Sequence, residues 1–257
     1  MSTPTSTRAE FRGGVQYEFD GNTLETVASA SPFQFGDEFV GAGHTAGIPA
    51  AGSPAAGYPW VKKLVGTPTG VALDSNNVGG TVSCTLAATS EAEEAGLCWN
   101  DSLSIDVTKT GLIEYRAALA VLPTGVAKAA LGVGSAWVSG GFTAFSRYLG
   151  FGWSASGALL VLALDGVQSA VSIAAKPIGG SAITSDTAQH LFRIDWSNSA
   201  DVAYYYDGNR VNAVGSVTWT ATAGANSVMQ PWADVSKASG TGVATLTVDK
   251  IDIFNGR

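Results

Sequence analysis

Few residues of this chain have the type and spacing to do chemistry, and none forms a complete catalytic set. There are two histidines, His44 in a Gly/Pro-rich stretch and His190 at the head of an alternating segment. Neither accompanies a Gly-x-Ser-x-Gly elbow or a cysteine partner of the kind nucleophilic hydrolysis requires. His190 is expected to cap a strand edge and His44 to sit in a loop. GVGSAW (Gly132 to Trp137) lacks the Lys-Ser/Thr of a phosphate loop and reads as a small-residue strand. Glu91, Glu93 and Glu94 form an acidic cluster in Ala-rich company, for which a solvated acidic turn is expected. Ser90 and Glu93 have capping-box spacing ahead of Gly96, although a Glu-rich strand extension fits equally. Cys84 and Cys98, the only cysteines, stand at no metal-ligand spacing with a histidine. They read as two small buried hydrophobes rather than a disulfide. No catalytic, cofactor-binding or metal-ligating residue is assigned from these patterns.

Composition narrows the function classes. With 14 basic against 21 acidic residues the net charge is −7, and the lysines and arginines are scattered, Lys62-Lys63 being the densest pair. That argues against gripping nucleic acid, which needs clustered positive charge to neutralise phosphates. No apolar run approaches the ~20 residues of a membrane span, and MSTPTSTRAEFRGG has no signal-peptide core, so cytoplasmic manufacture is expected. Charged residues are 14% of the chain, a share low enough to suggest surface covered by other subunits, although a Ser/Thr/Gly-rich surface explains it as well.

The elements are short strands. Phe192, Ile194 and Trp196 alternate with polar neighbours, and Val202, Tyr204 and Tyr206 lead into Asp207-Gly208, which suits a tight hairpin. GLIEYRAALAV places Ile113, Tyr115, Ala117, Leu119 and Val121 on one face. A further hairpin is expected around Asp165-Gly166. In the last strand Leu246, Val248, Ile251 and Ile253 stay in phase only with a bulge near Asp249-Lys250. Residues 36–59 are Gly/Ala/Pro-rich without periodicity and read as an extended arm. The expected organisation is a first strand and arm over 1–59 and an antiparallel β-sandwich over 60–257. Trp99, Trp137, Trp153 and Trp196 are expected in the core; Trp60 and Trp232 are the better candidates for surface rings, but core or subunit contact is favoured for them too.

The His-x-x-x-Ile-x-Trp strand of His190–Trp196, followed by the aromatic strand ending Asp207-Gly208, resembles the late strands of concanavalin A-like jelly rolls, the lectin, laminin G and laminarinase group. The resemblance implies a two-sheet jelly roll and invites glycoside hydrolysis. The laminarinase-like relatives carry their carboxylates on one strand as Glu-x-Asp-x-x-Glu or Glu-x-Asp-x-Glu, a spacing this sequence lacks. Some members hold Ca²⁺, for which Asp20, Asn22 and Asp252 could supply oxygens, although plain Asx-turns explain these residues as well. FQFGDEF, the arm, GG-x-V-x-C-x-L-x-A-T-S-E and GLIEYRAAL are similar to jelly-roll virion proteins of tailed bacteriophages. That similarity implies a non-enzymatic virion protein decorating or cementing a capsid, with other copies of itself and other virion proteins as partners. The alternatives are a carbohydrate-binding module and an atypical glycoside hydrolase.

Overall fold

The computed structural model describes residues 6–12, 15–20, 26–29, 33–39, 47–50, 59–74, 80–155, 157–220 and 227–256. His44, Asn22 and the side chain of Asp20 lie outside the described residues. Strands β1 (Ser6–Arg12), β2 (Val15–Asp20) and β3 (Thr26–Ser29) form a three-stranded antiparallel sheet. The next strands in chain order are β4 (Phe33–Asp37), β5 (Val61–Val65), β6 (Gly70–Asp74), β7 (Thr81–Thr85), β8 (Glu93–Cys98), β9 (Ile105–Asp106) and β10 (Gly111–Val121). After them come β11 (Lys128–Gly134), β12 (Tyr148–Ser154), β13 (Leu159–Leu164), β14 (Val171–Ala174) and β15 (His190–Asp195). The last are β16 (Ala203–Tyr206), β17 (Asn209–Arg210), β18 (Val228–Lys237) and β19 (Thr245–Asn255).

Sixteen of these build two antiparallel sheets of eight strands each. The first runs β17-β16-β15-β10-β19-β7-β6, with β4 also on β19; the second runs β14-β13-β12-β11-β18-β8-β5, with β9 also on β18. Period-two alternation puts Ile113, Tyr115, Phe192, Ile194, Leu246 and Ile253 of the first sheet against Leu131, Phe151, Val161 and Val235 of the second, in one continuous buried core. The bulge needed to keep β19 in phase is present, since Arg116 faces Lys250 while Ala117 faces Val248 and Asp249 is skipped. The Asp207-Gly208 turn joins β16 to β17 with both residues at positive φ (47° and 76°). Val121, expected inside, is exposed at the end of its strand.

Two tyrosines of the first sheet reach through the core to the backbone of the second. The Tyr115 hydroxyl donates to the Gly132 carbonyl at 2.6 Å and accepts the Trp232 amide at 3.2 Å. That of Tyr204 donates to the Leu162 carbonyl at 2.9 Å. Burial pushes the ionisation of both phenols far up, so they remain neutral donors. Tyr115→Phe removes the buried hydroxyl from the Gly132 carbonyl and the Trp232 amide and is expected to cost about 1–3 kcal/mol in denaturant unfolding. An unchanged midpoint would mean that the hydroxyl does not tie the sheets together.

Trp99, Trp153 and Trp196 are in the core as expected, and Cys84 and Cys98 are buried and free. Trp60 and Trp232, the better candidates for surface rings, are fully buried, as the favoured core contact requires. Trp60 packs among Phe35, Phe39 and Trp99 and donates its indole N–H to Asp37 Oδ2 at 2.7 Å. Trp232 does point out of the sandwich, but another segment of the chain covers it. Trp137, expected in the core, belongs to that covering segment and is only half-buried.

Candidate functional site: a carboxylate pair beneath a groove

The outer face of the second sheet is not wet along its centre. Alternation that sends Ala233 and Val235 inward sends Gln230, Trp232, Asp234 and Ser236 of β18 outward; on β8 it sends Glu94, Gly96 and Cys98 outward. A second buried cluster forms there from Cys98, Ala130, Tyr148, Leu162 and Trp232, closed over by Phe142 and Phe145. The two phenylalanines come from residues 135–147, the connection between β11 and β12, which includes a 3₁₀ turn at Phe142–Ala144.

Two carboxylates lie on this floor. In the β18–β8 ladder Asp234 faces Gly96 and Ser236 faces Glu94, so Asp234 and Glu94 are diagonal neighbours on one side of the sheet. Such positions are about 7–8 Å apart at Cα and somewhat closer at Cβ, so the two carboxyl groups share one patch of the floor. Their surroundings separate their roles. Burial, followed by the charge of Glu94, raises the Asp234 carboxyl well above the ordinary aspartate range. The Phe142 amide, Trp232 and Ser236 pull the other way and are outweighed, and Asp234 Oδ1 is buried without a hydrogen-bond partner. Glu94 is instead well supplied with donors. Its Oε1 accepts the Trp137 indole N–H at 2.8 Å, and its Oε2 accepts the Gly140 and Gly141 amides at 3.0 and 3.4 Å. The result is an aspartic carboxyl whose burial favours the protonated form, beside a glutamate held by the protein's own N–H groups, a contrast of surroundings that acid-assisted bond cleavage can use.

Space adjoins the pair on both sides of the covering segment. A groove of ≈ 620 Å³ is lined by Glu94, Lys128, Ser139, Gly140, Ser154 and Ser236, a size that accommodates a small-molecule or oligomeric ligand. A cavity of ≈ 130 Å³ reaches Asp234 between Phe142, Leu160, Leu162 and Ser172.

The expected solvated turn at Glu91, Glu93 and Glu94 is therefore corrected. Glu93 and Glu94 lie in β8 and are buried, because each has a partner of its own. Glu93 pairs with Lys237 at 3.4 Å; only Glu91 stays near solvent, bonded to Thr67. Glu94 and Asp234 come together from two different strands. A signal is present in Gln230-x-Trp232-x-Asp234-x-Ser236, a polar face alternating with Ala233 and Val235. Its partner Glu94 lies far earlier in the chain, and spacing along one strand does not reveal it.

His190 is remote from this floor. Its Nδ1 is 2.7 Å from Asp207 Oδ2 and its Nε2 2.9 Å from Asp186 Oδ1, with the ring against Tyr206 at 4.5 Å. Partial burial opposes its charge, but the hydrogen bonds to Asp186 and Asp207 outweigh it and raise its pKa above 6.5. A raised histidine stabilises fully below its unfolded pKa and loses that contribution as pH rises through the folded value. His190→Gln is thus expected to lose most stability, relative to the parent, below about pH 6.5, with the gap narrowing as pH rises in denaturant titrations. A gap independent of pH would remove the doubly bonded imidazolium. Asp252, considered for calcium, is 2.9 Å from Lys250 Nζ, and among the described residues no three His, Cys, Asp or Glu side chains converge on a metal position.

Two eight-stranded antiparallel sheets stacked face to face, with late aromatic strands ending in the Asp207-Gly208 turn, decide the architecture. The fold is a concanavalin A-like jelly roll. No protein-family model and no curated protein sequence matches the chain. Solved structures do. A glycoside hydrolase family protein from Mycobacterium thermorestibile is 15% identical with a TM-score of 0.53, over 86% of this chain and 99% of its own. The carbohydrate recognition domain of Emp47p is 10% identical with a TM-score of 0.52, over 82% of this chain and 95% of its own. A protein of unknown function from Shewanella oneidensis MR-1 is 11% identical with a TM-score of 0.54, over 87% and 86% of the two chains. At these identities the likeness establishes the jelly roll itself. The expectation of a non-enzymatic virion decoration protein is corrected by these comparisons, because the jelly rolls that carry names are a glycoside hydrolase family protein and a carbohydrate recognition domain.

Proposed function

We propose that this jelly roll acts on polysaccharides as a glycoside hydrolase, with Asp234 as general acid and Glu94 as the charged carboxylate beside it. The observation that carries the reading is the pair itself. Two carboxyl groups share one floor, and burial plus the neighbouring charge raise the Asp234 carboxyl well above its ordinary range, which favours its protonated form. A protonated Asp234 can deliver its proton to the glycosidic oxygen as the bond to the anomeric carbon breaks. Glu94 then stabilises the positive charge that grows on the sugar, or directs the group that attacks it. The groove alongside, with Lys128, Ser139, Ser154 and Ser236 on its walls, offers hydroxyl and amine groups to sugar hydroxyls. Named proteins of the same fold support a carbohydrate ligand.

Glycan binding without turnover is the second reading, favoured by the burial of both carboxylates beneath residues 135–147. Incubating the full chain with a panel of plant, algal and bacterial polysaccharides and following reducing ends separates the two. Hydrolysis predicts oligosaccharide release that Asp234→Asn lowers by about 10²–10⁴-fold. Glycan-array binding without release would replace the first reading by the second, and neither binding nor release would end both.

A further inference from the structure

Residues 135–147 cross the proposed site, and the fold has made room for them. A Cβ on Gly150 would lie 2.5 Å from the Phe142 ring, and one on Gly134 would lie 2.6 Å from the Phe145 ring, so both phenylalanines rest on bare backbone. Phe145 stands edge-on to Trp232 with centroids 4.8 Å apart. The opposite side of the segment is wet, with Ala136, Val138, Ser139, Thr143 and Ala144 exposed. Its two ends meet where the Ser135 amide donates to the Arg147 carbonyl at 3.0 Å, so it can move without disturbing the β11–β12 ladder.

Its apolar hold is Phe142 and Phe145, buried against Tyr148 and Trp232. Its polar holds are local: the three N–H donors to Glu94 described above, the Phe142 amide on Asp234, and Asp101, whose Oδ1 accepts the Trp137 amide at 2.7 Å. Asn100 and Asp101 both adopt left-handed backbone (φ 52° and 63°) in a tight turn closed by the Ser102 amide on the Trp99 carbonyl at 2.9 Å, a geometry that Asn and Asp favour. Burial opposes ionisation of Asp101, but the Trp137 amide, Lys63 and Gln230 hold its carboxyl below the usual range. Gly140 and Gly141, at φ 122° and 81°, supply the backbone freedom beside the Glu94 contact.

The floor underneath is unfinished for a permanent core. Asp234 Oδ1 and, on the same face of β18, Trp232 Nε1 are both buried without a partner, which leaves polar capacity unused on the floor. Glu94 takes from the segment N–H donors of the kind that sugar hydroxyls could replace. We infer that residues 136–146 form a lid that opens as a unit, and that its closed position, latched on Glu94, keeps ligand off Asp234. The inference rests on the glycan reading for what is kept out, but the opening itself does not depend on it.

Native-state hydrogen exchange of the full chain across a denaturant series tests the opening. The Gly140 and Gly141 amides are expected to exchange through a sub-global event, at least about tenfold faster than β11 and β12 amides and with little denaturant dependence. Trp137→Phe keeps a ring at this half-buried position but removes the indole donor. It should speed exchange at Gly140 and Gly141 about tenfold, as loss of a hydrogen bond to a charged group implies, and raise any polysaccharide cleavage. If the Gly140 and Gly141 amides exchange only with global unfolding, in step with β11 and β12, the lid is overturned. If the lid opens in both proteins and neither binds nor cleaves any polysaccharide, the lid stands and the glycan reading fails.

Discussion

Asp234→Asn is expected to unfold at a higher temperature than the parent protein near neutral pH, with the difference closing as pH falls toward the ordinary aspartate range. The folded carboxyl is raised well above its ordinary value by burial and by Glu94. The unfolded one titrates near about 3.9. Between those values the unfolded chain has released a proton that the folded chain retains. The contribution of this group to stability is therefore full below the unfolded pKa and is lost as pH rises toward the folded value. Inside that window the loss runs at about 1.4 kcal/mol per pH unit. Asparagine keeps the shape without the titration, so it escapes the loss. The same variant should lose the proposed hydrolysis, the exchange of stability for activity typical of catalytic groups. Thermal melts of both proteins from acid to neutral pH are the measurement. A difference constant across that range would show that Asp234 is not held protonated, and the general acid would go with it.

Lys237→Met is expected to cost about 3–5 kcal/mol, because it strands Glu93 as an uncompensated buried charge. Both side chains of this pair are wholly inaccessible, which sets it apart from the surface ion pairs. Lys237 Nζ donates to the carbonyls of Ala87 and Thr89 at 2.6 and 2.7 Å, and Glu93 Oε2 accepts the Ala87 amide at 2.9 Å. The pair thus pins the turn between β7 and β8 onto the end of β18, next in sequence to Glu94 and Ser236. Replacing both partners, as in Glu93→Leu with Lys237→Met, should recover much of the loss, since no lone charge remains. Denaturant unfolding of the two single variants and the double variant measures this coupling. Additive losses would mean that the two residues act independently.

Strand positions and the sandwich are legible in the chain because period-two alternation is a local property. Ile113, Tyr115 and Ala117, or Phe192 and Ile194, declare a buried face whatever strand lies alongside. The phase break in β19 is equally local, since four apolar residues cannot share a face across Asp249-Lys250 without an extra residue. Tryptophan placement is harder to read. Trp232 does leave the inner face, but its cover comes from Phe145, a residue of a different strand connection, so nothing near Trp232 announces its burial.

Local pattern alone thus suffices for an antiparallel two-sheet body, for the hairpin at Asp207-Gly208, and for two buried free cysteines. It does not reach the shared floor of Glu94 and Asp234, the neutralisation of Glu93 by Lys237, or the passage of residues 135–147 above them; those emerge when the chain is folded. The physical reason is pairing. Alternation states which side of a strand a residue occupies, whereas the environment of a carboxyl depends on which strand lies beside it and what crosses overhead. For β8 and β18 that choice joins segments from the first and last thirds of the sandwich, through the burial of a whole sheet face rather than any local signal.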